Sequence, residues 1–236
     1  MSAFTGEFIG TAILIILGNG VVANVILDKT KGQNSGWIVI TFGWAIAVFV
    51  GVFAATKLGS GAHLNPAVTI AFAMADKLEW SAVPGYMLAQ FAGAMTGSLI
   101  VWIAYRQHFE ATQNGDIKLA VFCTAPAIRS PLNNLATETI GTFILVFAVF
   151  YLAAPTASLG ALDALPVGLL VLGIGLSLGG PTGYAINPVR DLGPRIMHHV
   201  LPISNKRDSD WAYSWVPVVG PIIGGLLAAG AFKVLL

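Results

Sequence analysis

The sequence predicts an all-α membrane protein with six transmembrane helices and two re-entrant half-helices in an inverted repeat. Three observations carry this. First, the 236 residues are 56% hydrophobic and only 10% charged, where a soluble domain carries about 25% charged residues; mean hydropathy is +0.79. Second, apolar stretches recur at the length a bilayer demands. Third, a Gly-x-x-x-Asn-Pro phrase occurs twice, at Gly61–Pro66 and Gly183–Pro188, once in each half of the chain.

The elements follow in order. A helix needs roughly 20 apolar residues to cross a ~30 Å hydrocarbon core. Residues 5–27 supply the first; the N-terminus before them lacks the basic region of a cleaved signal, so the stretch reads as a retained span. Polar Asp28–Ser35 ends it, and 36–57 is the second span. Residues 66–76 are apolar but number only 11, roughly 16 Å as a helix, or half the core. Residues 82–105 form the third span, and the polar segment 106–131 reads as a joining loop. Spans at 132–153 and 163–179, a second 11-residue piece at 188–198 and a last span at 213–235 complete the chain. Neither short piece can cross alone. Each can enter and return only where protein or a water-filled cavity covers its irregular approach.

The halves repeat. Glu7-Phe8-Ile9-Gly10-Thr11 echoes Glu138-Thr139-Ile140-Gly141-Thr142 at an offset of 131, and the Asn-Pro pair repeats at an offset of 122. Each half reads span, span, half-helix, span. Three spans per half is odd, so the second half inserts upside down relative to the first. The expected organisation is one transmembrane channel domain over 1–236, with repeats at about 1–105 and 132–236. Many of the 27 glycines fit close helix packing in lipid.

The chemistry concentrates at the two Asn-Pro starts. Asn caps a helix by accepting from its backbone, and Pro suits the first helical position. Asn65-Pro66-Ala67 and Asn187-Pro188-Val189 therefore begin two short helices whose positive ends meet near the midplane. That field opposes cations while passing neutral polar solutes. The side-chain amides of Asn65 and Asn187 are free to donate into a lumen. The irregular residues before them, Gly61, Ala62, His63 and Leu64, and Gly183, Tyr184, Ala185 and Ile186, offer backbone carbonyls as a ladder of acceptors. His63 reads as a loop and pore-wall residue. Arg190 sits at the third position of its half-helix, where the dipole opposes a positive charge, so selectivity explains it better than stability does. Asp191 and Arg195 form a favourable i,i+4 pair. Glu7 and Glu138 need donors at their depth, and the loops before each Asn-Pro carry unpaired N–H groups.

These residues resemble the aquaporin superfamily (major intrinsic proteins) over essentially the whole chain. Ser60-Gly61-Ala62-His63-Leu64-Asn65-Pro66-Ala67-Val68-Thr69 is similar to its first signature. Asn187-Pro188-Val189-Arg190-Asp191 is similar to the second, with Val189 where Ala is usual. The resemblance implies the family's right-handed helical bundle, a homotetramer in the cell membrane and both termini in the cytoplasm. Asp191 after the arginine, Arg195, and Pro217 in the last span resemble the glycerol-facilitator branch. By similarity, the outer constriction falls on Trp44, Gly175, Tyr184 and Arg190. Trp44 lies 21 residues before Asn65, and Ala45 takes its place unless Lys57–Ser60 holds an extra residue. Gly175 replaces the histidine typical of water-selective members and leaves room for a larger solute. Tyr184, where phenylalanine is frequent, makes the filter more polar and suits a small neutral acid such as lactic acid.

The family topology puts Lys29, Lys31, Arg106, Lys118, Arg129, Lys206 and Arg207 outside, against Lys57, Lys77 and Lys233 inside, which is the reverse of the positive-inside rule. A net charge of +1 gives no reason to expect nucleic acid. Cys123 is the single cysteine and can form neither an internal disulfide nor a metal cluster. Adjacent His198 and His199 lack metal-ligand spacing, and no enzyme arrangement stands out. The expected function is passive conduction of glycerol and other small neutral solutes (water, urea, lactic acid) without a cofactor or metal. The alternative from another class is a proton-coupled secondary transporter with Glu7 and Glu138 as its relay.

Overall fold

The computed structural model describes residues 2–152 and 157–235; position 153, the expected end of the fourth span, lies outside them. Ten α-helices occur among the described residues: α1 (Ala3–Ile26), α2 (Trp37–Lys57), α3 (Pro66–Met74), α4 (Val83–Ala104), α5 (Arg106–Ala111), α6 (Gly115–Phe122), α7 (Pro131–Tyr151), α8 (Leu165–Leu178), α9 (Pro188–Val200) and α10 (Val216–Leu235). Short 3-10 turns extend α4 and α8 at their N-termini. Six helical segments are then long and apolar enough to cross a membrane: Ala3–Ile26, Trp37–Lys57, Trp80–Ala104, Pro131–Tyr151, Gly160–Leu178 and Val216–Leu235. The half-helices α3 and α9 have 9 and 13 residues, too short to span.

Local chemistry sets the starts. Ser2 Oγ accepts from the Thr5 amide at 3.3 Å and caps α1. Proline stands in the first turn of α4, α7 and α8, where a missing N–H costs nothing. The joining segment 106–131 differs from the expected loop, because it folds into α5 and α6. Helices of 6 and 8 residues are too short to stand alone, so packing holds them. Phe109, Leu119, Val121 and Phe122 are buried with Ala23, Leu27 and Val101 of the bundle and with Met197 and Leu201 at the end of α9.

In the bundle, α1 packs on α2 and α4, α7 packs on α10 and α8, and α2 meets α8. Two glycines allow the tightest approaches to a neighbouring helix backbone: a Cβ on Gly93 would lie 2.4 Å from the Phe8 carbonyl, and one on Gly224 would lie 2.4 Å from the Thr139 carbonyl. These pairs stand 131 residues apart in the chain. The half-helices cross over, α3 lying against α10 and α9 against α4. Each therefore rests on a long helix of the other half.

At the end of the bundle where α9 finishes, cations hold the fold. Arg129 pairs with Asp210, Arg207 with Asp116 and Asp208, and Arg106 with Glu110. Lys118 donates to the Ser204 carbonyl. Lys206 donates to the carbonyls of His198, His199 and Leu201 and closes the C-terminus of α9. Burial pulls both ammonium groups below the ordinary lysine value. Five of the seven cations counted at this end thus serve the protein's own carbonyls and carboxylates. Most of the surplus of cations at this end therefore has local partners within the protein.

Candidate functional site

The N-termini of α3 and α9 meet. Asn65 Oδ1 accepts from the Ala67 amide at 2.9 Å, and Asn187 Oδ1 accepts from the amides of Val189 and Arg190 at 3.1 and 3.4 Å. Each amide nitrogen also reaches across. Asn65 Nδ2 donates to the Ile186 carbonyl and Asn187 Nδ2 to the Leu64 carbonyl, both at 2.8 Å. This differs from two fully free amides. The last carbonyl of each loop is buried and needs a donor, and the opposite asparagine supplies one. The second proton of each NH₂ group remains for the cavity that both residues line.

The approaches are held from behind. Glu7, fully buried, accepts from the His63 amide at 2.9 Å, the Leu64 amide at 2.7 Å, Gln90 Nε2 at 2.7 Å and Ser60 Oγ. Glu138 accepts from Thr182 Oγ1 at 2.6 Å and from the amides of Ala185 and Ile186 at 2.9 and 2.8 Å. All peptides here are trans, so each carbonyl points opposite to the N–H of its own plane. Turning the amides of His63, Leu64, Ala185 and Ile186 onto carboxylates thus turns the carbonyls of Ala62, His63, Tyr184 and Ala185 the other way, toward the cavity. The backbone accommodates this with φ of 55° at Ala62, 51° at Leu64, 40° at Tyr184 and 43° at Ile186, a region costly for residues with a Cβ. Three hydrogen bonds or more on each carboxylate hold that strain in place.

The cavity between the loops has a volume of about 170 Å³. One wall is polar: Gly61, Ala62, His63, Leu64 and Asn65 with Tyr184, Ala185, Ile186, Asn187 and Arg190. The other is aliphatic and aromatic, with Leu14, Val48, Val52, Val68, Leu145, Val149 and Val171 among its residues. His63 Nδ1 lies 3.2 Å from Thr69 Oγ1, and its ring packs on Phe72 and Tyr86. Pro66, Ala67, Pro188 and Val189 stand behind the wall, and Val189 is fully buried, so its extra methyls meet protein. Gly183, with φ of 79°, turns the chain beside Thr124. Glu7 and Glu138 also stand off the cavity.

Arg190 projects into the cavity with its guanidinium carbon 4.1 Å from the Trp44 ring centroid. Trp44 lines the cavity; Ala45 faces α8, its carbonyl 2.8 Å from where a Cβ on Gly168 would stand. Gly175 lies one layer back. A Cβ there would come within 2.8 Å of Tyr184 Cζ and 3.0 Å of its hydroxyl oxygen, so the tyrosine ring fills the space the glycine leaves. The Tyr184 hydroxyl has no partner among the described residues. Next to this corner, Arg195 Nε bonds Asp191 Oδ1 at 2.7 Å, and both side chains are fully buried. Arg195 also donates to the carbonyls of Ser209, Asp210 and Thr124, while Asp191 accepts from Thr124. The pair fastens two loops to the half-helix that carries Arg190.

Sequence reasoning missed Ser60, Thr182 and Gln90. The first two had a signal: a hydroxyl stands five residues before each asparagine, at the same offset of 122. Gln90 had none, since its partner lies 83 residues away.

The family model for "Major intrinsic protein" matches residues 1–232. The chain belongs to the major intrinsic protein family. It is 57% identical over 233 residues to the glycerol uptake facilitator protein of Streptococcus pneumoniae, covering 99% of each chain. It is 54% identical to glycerol uptake facilitator protein 3 of Lactiplantibacillus plantarum, covering 98% of this chain and 95% of that relative. The X-ray structure of the aquaglyceroporin from Plasmodium falciparum superposes with a TM-score of 0.80 at 32% identity, covering 98% of this chain and 94% of that one. As a major intrinsic protein, the chain is a multi-pass integral membrane protein, and its six apolar helices and two half-helices are that family's architecture.

Proposed function

We propose that this major intrinsic protein is a passive channel for glycerol and other small neutral solutes, with water, and that it excludes protons and ions. The two-sided cavity carries this reading. A polyol can turn its hydroxyls to the carbonyls of Ala62, His63, Tyr184 and Ala185, to the asparagine amides and to Arg190, and its CH groups to the aliphatic wall. The glycerol uptake facilitators among its relatives support the same solute class. Trp44, Tyr184 and Arg190 line the outer constriction with Gly175 behind the Tyr184 ring, and Asn65 and Asn187 form the midplane junction. The two halves act as one domain with inverted repeats. The paired placement of Gly93 with Gly224, and of Glu7 with Glu138, supports that organisation. No chemical step and no cofactor enter.

The test is stopped-flow light scattering of proteoliposomes across a panel of glycerol, water, urea and lactic acid. Flux of glycerol that is fast, non-saturating and independent of ion gradients supports the channel. Saturable, proton-coupled uptake supports the transporter instead, although both candidate relay carboxylates lie off the cavity with their oxygens bonded to the loops.

A relative named D/L-lactic acid transporter from Lactiplantibacillus plantarum, 40% identical over 227 residues, favours a second solute, lactic acid in its neutral form. Its flux then rises as pH falls toward the acid's pKa, and flux independent of pH counts against it. A homotetramer is proposed for the assembly, to be tested by the mass of the detergent-solubilised particle after the detergent contribution is removed.

A further inference from the structure

We infer that Trp37 is a positioning residue for solute selection, acting through the ring of Tyr184; the inference rests on the constriction proposed above. Trp37 opens α2 and is 42% exposed, which alone would suit an aromatic anchor at the membrane surface. Its indole N–H, however, points inward. Nε1 donates to the Gly175 carbonyl at 3.1 Å and ties α2 to α8. The indole also meets the Tyr184 ring edge-on, with centroids 5.8 Å apart and planes at 79°.

Tyr184 needs such a clamp. It sits on an unwound loop, and its hydroxyl has no partner among the described residues, so no hydrogen bond of its own fixes the ring. Packing alone does so. A Cβ on Gly179 would lie 2.5 Å from Tyr184 Cδ1 and 2.9 Å from Trp37 Cζ2, while one on Gly175 would lie 2.8 Å from Tyr184 Cζ. The ring therefore lies in a slot floored by two glycines and closed by Trp37, and Tyr184 is among the residues that line the cavity. Without the indole, the slot opens on one side and the ring is free to leave Gly175 and narrow or blur the passage. A solute that contacts the ring along its length, such as a polyol, is affected more than water.

The experiment measures glycerol and water permeability of the full chain in proteoliposomes for the parent, Trp37→Ala, Trp37→Phe, Tyr184→Ala and the Trp37→Ala/Tyr184→Ala double variant. Trp37→Ala lowers the glycerol-to-water ratio about tenfold, and Trp37→Phe, which keeps an edge but loses the N–H, lowers it about threefold. In the Tyr184→Ala background the ratio changes less than about twofold, because no ring remains to be positioned. If Trp37→Ala does not fold, the threefold shift in Trp37→Phe carries the test. Ratios within twofold of the parent for the Trp37 variants, or an equal shift in both backgrounds, overturn the inference and make Trp37 an anchor. If Tyr184→Ala itself leaves the ratio unchanged, the constriction falls and this inference falls with it. If Tyr184→Ala moves the ratio and the Trp37 variants do not, only this inference falls.

Discussion

Replacing Glu138 with glutamine removes one acceptor from the carboxylate behind the second loop. In the parent, one oxygen takes Thr182 and the Ala185 amide, and the other takes the Ile186 amide at 2.8 Å. A glutamine can keep the first pair on its carbonyl, but its NH₂ then faces the Ile186 N–H, donor against donor. Losing a hydrogen bond to a charged group costs about 1.5–3 kcal/mol, and a buried donor left unmade costs a further ~1–3 kcal/mol. Removing the burial cost of a charge offsets part of this, which leaves a net loss of about 3 kcal/mol. At 1.4 kcal/mol per factor of ten, the ratio of closed to open loop falls roughly 100-fold. Hydrogen exchange followed by mass spectrometry on the peptide around 182–190 reads this directly, because opening exposes the Ala185 and Ile186 amides. Exchange should accelerate by about 100-fold there while α1 and α4 keep their protection, and glycerol flux should fall. Exchange within about threefold of the parent at those two amides would refute the tether argument.

Three further outcomes are expected. Gly175→His places a Cβ 2.8 Å from Tyr184 Cζ, so the ring must yield; glycerol flux in swelling assays should drop roughly tenfold or more while water flux is largely kept, and equal losses would sink the size argument. Arg190→Val removes a charge that repels a cation by about 4 kcal/mol at ~4 Å in an effective dielectric of ~20; ion and proton leak through liposomes should rise, by up to roughly 1000-fold, and an unchanged leak counts against a barrier at Arg190. Asn65→Ala deletes a helix cap and the bond to the Ile186 carbonyl, about 1 kcal/mol each; the unfolding midpoint in detergent should fall, and a midpoint equal to the parent's would show that water replaces both.

Much of this architecture could be read from residue order because lipid admits few solutions. A stretch of apolar residues must span or turn back, and Asn-Pro marks a helix start wherever it stands. The positions of Asn65 and Asn187 follow from those two facts, Arg190 from its place in the second half-helix, and Glu7 and Glu138 from the repeat and their need for donors. What could not be read depends on long-range packing. Helices α5 and α6 are too short to declare themselves and exist because Phe109 and Phe122 find a buried cluster. The carbonyl partners of Asn65 and Asn187 lie more than a hundred residues away. Gly175 reads as an opening, yet the space beside it is filled by a ring from another element. Trp37 reads as one more aromatic at a helix start until its N–H is traced to Gly175. The surplus of cations at one end can be counted from the sequence, but what each charge holds cannot.

The crossed asparagine bonds bear on the order in which the chain can be built. Residues 1–105 leave the ribosome first, with Leu64 still lacking its donor and Asn65 its acceptor, since both come from 186–187. The long helix on which α3 rests, α10, is the last to be made. Until then the first half-helix lacks these cross-half partners and is held only by its own half, through Glu7, which takes the His63 and Leu64 amides, and Gln90, which reaches Thr69. The two crossed bonds can form only when both halves are present, so the junction between the loops is a product of the whole chain and of neither repeat alone.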